Sequence, residues 1–384
     1  MAVDITDPRS FPERTDAAFA AQIELAAASL GSSSTARAAE FDQTLTGDLA
    51  RVLRSGDASW IERLMAAAPS AAIGRHLWRR LLVAWDEASR GVGERGLAVT
   101  LFALPIVIVA GRSSVAGASI VDAVLPDSGR VVAILREQGA LAGNRSFGLA
   151  NALVGADALD VSRLPELRSW TNLSDAHAAG ARALVPATIA VAAGEQAVHL
   201  RFLIGTALAA SGTDLLADSH VGAWGLPLAA ELARQLATPG ISVLALPKAP
   251  QPPLAALQAG RAAQREVGAQ LFASNSIRRL RASVGEPAAV VSAHRCPAAL
   301  GGGELRLSLS SVFDPAQAAG FRCPLFPGER AGDVAAMLVN LLHDCRIADV
   351  HVLPGVYPDR EPETGLVLLF KAGAIPEARN TALQ

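Results

Sequence analysis

Apolar residues recur along the chain with two different periods, and the change falls near residue 92. Before it the spacing is helical. Thr15 or Asp16 can cap a helix that runs through FAAQIELAAASL and stops at Gly31, ahead of the Ser32–Ser34 break. Between 73 and 90, Ile73, Leu77, Trp78, Leu81, Leu82 and Trp85 keep an i, i+4, i+8 stripe. Arg79, Arg80 and Glu87 lie opposite it as a solvated face, and Gly91 is a natural C-cap. Trp60, Trp78 and Trp85 all fall in these helical segments and read as core or interface anchors.

Beyond residue 92, units of helix followed by strand end in Leu-Pro at three places: GLAVTLFALP (96–105), GISVLALP (240–247) and ADVHVLP (348–354). The second and third follow amphipathic helices predicted at 226–237 and 332–345. In the latter, Val334, Met337, Leu338, Leu341, Leu342 and Cys345 fit a 3.6-residue period. Between the Leu-Pro strands lie two predicted hairpins, VPATIAVAAGEQAVHLRFLIG (185–205) and EPAAVVSAHRCPAALGGGELRLSLSS (286–311). Upstream of each is a helical pentapeptide, REQGA (136–140) and REVGA (265–269). The order strand, helix, hairpin, helix, strand therefore occurs twice, the copies abutting at 241–247, which is the order of a ferredoxin-like unit. The expected fold is α+β with mixed sheets. A helical region at 1–92 precedes two tandem pseudo-repeated βαββαβ-type units, at 93–248 (with an insertion at 143–184) and at 249–375, and a tail follows at 376–384.

Composition narrows the function classes. The chain has 384 residues, 51% hydrophobic and 4% aromatic, and a formal charge of −2. That charge gives no electrostatic case for a nucleic-acid or anionic-membrane partner, and few aromatics leave little to stack bases on. The run Arg278, Arg279, Arg281 is short and reads as a solvated helix face. The uncharged stretch Gly96–Gly111 is shorter than the ~20 residues of a spanning helix, is interrupted by Pro105, and is rich in β-branched residues, so a buried strand is expected and no membrane insertion. Only three cysteines occur and the N-terminus has no basic start with an apolar core, which points to a reducing, cytoplasmic setting. Of the basic residues only Lys248 and Lys371 are lysines, so lysine-dependent chemistry is not expected.

Three places carry candidate chemistry. In IVIVAGRSSVAGASIVD (106–122) a strand, then Gly111, Ser113, Ser114 and Gly117, then a predicted helical run would place free N–H groups around an anion. The same residues also serve as a helix cap and a chain turn, and neither dinucleotide, P-loop nor nucleophile-elbow fingerprints occur there. His294 and Cys296, two apart in a predicted strand, share a face and are weak metal candidates. His343 and Cys345, two apart on a helix, cannot share an ion. A His294 pair with Cys296 or Cys323 is the corresponding thiol-nucleophile reading. The turn Gly301-Gly302-Gly303-Glu304-Leu305 resembles over five residues the signature turn of diguanylate cyclases. Gly303 replaces the acidic residue that would help bind metal, and nucleotide cyclisation is not supported.

With no complete catalytic constellation and no identifiable cofactor, the sequence favours an intracellular non-catalytic interaction or structural protein. Such a chain would dock to a protein partner or to a second copy of itself. The alternative is an enzyme or a sensor of a nucleotide or other anion, with its site in a cleft between the repeats.

Overall fold

A computed structural model describes residues 17–55, 59–92, 98–111, 119–141, 146–161, 164–171, 184–191, 196–209, 221–237, 241–245, 250–283, 285–296, 303–311 and 318–357. In chain order come α1 (Ala17–Gly31), α2 (Thr35–Ser55), α3 (Ser59–Ala66), α4 (Ala71–Ser89), β1 (Arg90–Val92), β2 (Ala98–Ala110) and β3 (Ser119–Asp122). Then follow α5 (Ser128–Glu137), β4 (Ser146–Leu149), β5 (Val154–Gly155), α6 (Ala156–Val161), α7 (Leu164–Ser169), β6 (Thr188–Val191) and β7 (Ala197–Ala209). The last part holds α8 (Val221–Leu236), β8 (Ile241–Ala245), α9 (Pro253–Ser283), β9 (Pro287–Arg295), β10 (Gly303–Ser311), β11 (Ala318–Pro324), α10 (Ala331–Asp344) and β12 (Asp349–Tyr357). It is an α+β chain whose sheet around β2 and β7 is antiparallel throughout and whose β9–β12 sheet is mixed. No helix among the described residues is long and apolar enough to cross a membrane.

Contacts divide the chain into two units. One comprises residues 31–61 and 79–264; the other comprises 1–30, 62–78 and 265–384. The unit built around residues 79–264 centres on β2 and β7, antiparallel partners from Ala98↔Ala209 to Ala110↔Ala197. One edge of the pair takes β1 and β8, the other β4 and β5. Phe102, Leu104, Ile106 and Ile108 of β2 share a face with Leu203 and Ala207 of β7, and pack with Val131 and Leu135 of α5 and Leu228 and Leu232 of α8. On the opposite face Leu101, Ala103 and Val107 are also fully buried, and Pro105 is buried. There α9 comes so close at Gly260 that an added Cβ would lie 2.8 Å from Leu200 Cδ1 and 3.0 Å from Pro105 Cβ. Burial on both faces is why β2 reads as a continuous apolar run.

Pro105 is tolerated in mid-strand for a reason of register. Ala103 gives its N–H to Gln251 on the β1/β8 side. By alternation the missing N–H of Pro105 faces the same side, before the β8 ladder begins at Ile106↔Ala245.

In the other unit the sheet order is β11-β10-β9-β12. β9, β10 and β11 form an antiparallel meander, and β12 lies parallel to β9 with a register shift between Val352 and Val356. Leu305, Leu307 and Leu309 of β10 pack with Ala289 and Val291 of β9 and with Val334, Leu338 and Leu342 of α10. That is the stripe expected for the 332–345 helix.

Ferredoxin-like repeats are not confirmed. The strand before α9, β8, pairs with β2 and takes no place in the sheet of β9–β12. Nor do the closing strands match, since β8 runs antiparallel to β2 whereas β12 runs parallel to β9. The 286–311 segment does form a hairpin, β9–β10, but the 185–205 segment does not: β6 pairs with β3. Side chains rather than a ladder link β6 to β7. Arg201 donates to the Thr188 carbonyl, and His199 Nε2 donates to Ala190 O at 3.0 Å. Burial holds His199 below its ordinary pKa against the pull of that bond, and the Arg201 charge adds to the effect, so a neutral imidazole makes the contact.

Candidate functional site

Chemistry-bearing side chains gather on the second face of the β9–β12 sheet. Alternation along β10 sends Leu305, Leu307 and Leu309 to the core and turns Glu304, Arg306, Ser308 and Ser310 the other way. Register then fixes their neighbours. Glu304 lies between His294 of β9 and Pro324 of β11, and Arg306 lies between Ser292 and Arg322. Ser308 lies between Val290 and Gly320, and Ser310 between Ala288 and Ala318. On the far side of β9, Asp349, His351 and Tyr357 of β12 pair with Ala288, Val290 and His294.

A polar face of a sheet ordinarily meets water. This one is closed. Arg306, Ser308 and Ser310 are 0% exposed, Ser292 is 1% and Glu304 is 3%. A guanidinium out of water requires a counter-charge, and Glu304 supplies it: its Oε1 accepts from Arg306 Nε at 2.6 Å and lies 3.3 Å from Nε of the half-exposed Arg322. Ser292 Oγ and His294 Nε2 share a hydrogen bond of 2.8 Å, and the His294 ring lies 5.7 Å from that of Tyr357. His351 Nε2 is 2.8 Å from Asp349 Oδ1. The Ser308 and Ser310 hydroxyls are buried and find no partner among the described residues.

The Ser292–His294 contact has the length of a nucleophile–base pair. Each group is already the other's partner, and the neighbouring carboxylate of Glu304 is taken up by two guanidiniums, so the cluster is organised around an ion pair. What the face offers is a set of fixed hydrogen-bonding groups.

The residues singled out in the sequence are placed differently. Gly111 follows β2 with φ +141°, a conformation glycine readily adopts, while Ser113, Ser114 and Gly117 lie outside the described residues. Among the described residues, Ser119–Asp122, where the sequence suggested a helical run, is strand β3, antiparallel to β6. His294 belongs to the polar face, and Cys296 is buried just past the end of β9. No group of metal-holding side chains occurs among the described residues. Cys323 is on the opposite, apolar face in the same core as Leu305, and burial pushes its thiol up to about 12, which removes it as a nucleophile near neutral pH. Gly303 of the Gly-Gly-Gly-Glu-Leu turn opens β10, and Glu304 is spent on Arg306. The three residues that sequence reasoning missed, Arg306, Ser308 and Ser310, were marked only by the alternation ELRLSLS.

Comparison with protein-family models, curated proteins and solved structures finds no match to this chain.

Proposed function

We propose that this is a non-catalytic interaction protein that accepts a partner strand on the outer edge of β8. The observation that carries the reading is the composition of that edge. β8 reads ISVLA, has no charge, proline or bulge, leaves Leu244 45% exposed, and pairs only on its β2 side among the described residues. Natural sheets usually block such an edge, and the β9–β12 sheet does so. Its β11 carries the half-exposed Arg322 and ends in Pro324, and its β12 is interrupted at Val352–Val356, where Gly355 has φ +84°. An uncharged strand has no repulsion against a copy of itself. The first partner to test is therefore β8 of a second copy, joined antiparallel about a two-fold axis. An intracellular setting belongs to the same reading and is supported by three free thiols, two of them buried.

Light scattering coupled to size exclusion tests the reading on the full chain and on Leu244→Lys, which places a charge on the exposed edge. A dimer that becomes a monomer in the variant is expected. A wild-type monomer that behaves as the variant does at every concentration refutes the proposal. Truncation to 93–384 is a poor substitute, since it removes residues that belong to both units.

A further inference from the structure

Building on the pairing of β8 with its own copy, we infer that the two-fold axis passes through Val243 and that α8 closes the same interface, with Leu226 set against alanines of the partner's α8. Alternation along the ladder fixes the axis. Ala103 and Gln251 exchange both backbone hydrogen bonds, so the odd-numbered residues of β2 turn their backbone groups toward the β8 side. The β2–β7 register is unbroken from Ala98 to Ala110, so Val107 and Val109 do the same, and they lie opposite Leu244 and Ser242. Leu244 and Ser242 are therefore bonded inward to β2. Ile241, Val243 and Ala245 turn their N–H and C=O groups to the outer edge, where β8 has no neighbouring strand among the described residues. An antiparallel copy centred on Val243 pairs all of them, Val243 with the partner's Val243 and Ile241 with the partner's Ala245. A slip of two residues strands one outward residue on each copy. A slip of one sets outward groups against inward ones and forms no ladder.

Side chains continue the contact on one face of the sheet. α8 packs on β8, and its Gln235 is hydrogen-bonded to the Asp127 backbone, at the start of α5, at 3.1 and 2.8 Å. Because α5 packs on β4, at the opposite edge of the sheet, the flank of α8 away from α5 overhangs the outer edge of β8. At 3.6 residues per turn that flank, opposite Glu231 and Gln235, carries Leu226, Ala229, Ala230 and Ala233 and no charge. Leu226 is 80% exposed. Few residues join α8 to β8, so the helix runs back along the strand. From Leu236 to Leu226 it rises ~15 Å and from Ile241 to Ala245 the strand spans ~13 Å, which brings Leu226 level with the C-terminal end of β8. Across the axis at Val243 that end faces the start of the partner's β8, so Leu226 meets the partner's Ala230 and the partner's Ala233. One large apolar side chain on a flank of alanines fits an inverted copy of the same flank, which is why the occupant is a second copy of this chain.

The test co-expresses full-length Ser242→Cys and Leu244→Cys chains with tags of different length, oxidises the purified protein with copper-phenanthroline, and separates dimers by size without reductant. Both side chains are exposed. In the inferred register Leu244 stands opposite the partner's Ser242, a pair without ladder bonds whose Cα atoms are ~4.5 Å apart, within the span of a disulfide. The mixed-tag dimer is expected to crosslink, and neither variant expressed alone to exceed the wild type, whose own three thiols set the background. Crosslinking of Ser242→Cys alone or of Leu244→Cys alone marks a slip of two residues and overturns the axis at Val243. For α8, Leu226→Glu is expected to raise the dimer dissociation constant at least tenfold by sedimentation equilibrium with an unchanged circular dichroism spectrum. An unchanged dissociation constant removes α8 from the interface. A monomeric wild type refutes the β8 edge itself and everything built on it. A dimer that Leu244→Lys disrupts, but in which the co-expressed cysteines do not crosslink, keeps the β8 edge and overturns the register inferred for it.

Discussion

Gly205 is the position where the register of the central strands is most exposed to a single added atom. It lies directly opposite Phe102 in the β2–β7 pair, and the aromatic ring rests over its backbone. A Cβ built at Gly205 would stand 2.1 Å from Phe102 Cζ, 2.6 Å from its Cε2 and 2.7 Å from Leu149 Cδ2. Van der Waals contact between carbons needs ~3.5–4.0 Å, so the ring would have to move by more than an ångström in a core with no slack. Phe102 is 0% exposed and packs edge-on to Phe147 at 6.5 Å, which closes one direction of escape. Overpacking of this kind costs ~1–3 kcal/mol, and a clash this deep belongs at the upper end. The lower unfolded-state entropy of alanine returns at most ~1 kcal/mol. Gly205→Ala should therefore destabilise by about 2 kcal/mol. Urea denaturation followed by tryptophan fluorescence measures it, since the fully buried Trp224 sits in the same core cluster. Phe102→Leu in the same chain should recover part of the loss, giving a non-additive double-mutant cycle. If Gly205→Ala unfolds at the wild-type urea midpoint or above it, Phe102 does not pack over Gly205 and the stated register is wrong.

Arg265 opens the REVGA segment. It donates to Glu329 at 2.6 and 2.9 Å and to the Pro324 carbonyl at 2.7 Å, and its guanidinium lies 5.1 Å from the Phe326 ring. Arg265→Met should cost ~3–5 kcal/mol by leaving Glu329 unpaired, and combining it with Glu329→Gln should cost much less than the sum, read from equilibrium denaturation. Burial raises the Cys323 thiol to about 12, opposed by Arg265 and assisted by Glu304, so at pH 8 iodoacetamide should modify Cys323 only after unfolding. A folded pKa above the reference value of 9.0 also means that stability is complete below about pH 9 and is lost between there and about 12. Across that window the wild type should lose stability relative to Cys323→Ala, and parallel pH profiles for the two would refute the assignment.

Local elements were legible because their causes are local. The helix that stops at Gly31 and the apolar stripe of α10 are periodicities that packing preserves. The uncharged run around Pro105 is a strand because sheet and helix cover both its faces. Pairing was not legible, because period-2 alternation says which face a residue takes and nothing about which edge receives the next strand. The Leu-Pro segments at 240–247 and 348–354 look alike in sequence, yet β8 enters its sheet antiparallel to its neighbour and β12 enters parallel. Likewise 185–205 has the pattern of a hairpin. Its first strand instead turned to β3, and the bonds from Arg201 and His199 occupy the β6 carbonyls that would mark a ladder to β7.

The candidate site was hidden for the opposite reason: its residues are plain in ELRLSLS, and the inference normally drawn from them is solvent exposure. What the sequence did carry was the preference for arginine over lysine, and the buried contacts explain it. Arg265 makes three hydrogen bonds and stacks on a ring, which a single ammonium on a flexible stem cannot reproduce. Arg168 reaches the last carbonyls of α4 at Ser89, 2.8 Å away, where a cation also opposes the helix dipole. Arg306 is wholly buried and is held to Glu304 through its Nε, a donor lysine does not have. In these positions the basic residues are structural parts, which is consistent with a chain whose net charge is only −2. Arg265→Lys keeps the charge and loses the fork, so it should lie nearer to Arg265→Met than to the wild type in stability. Near-wild-type stability for Arg265→Lys would mean that charge alone, and not guanidinium geometry, accounts for the composition.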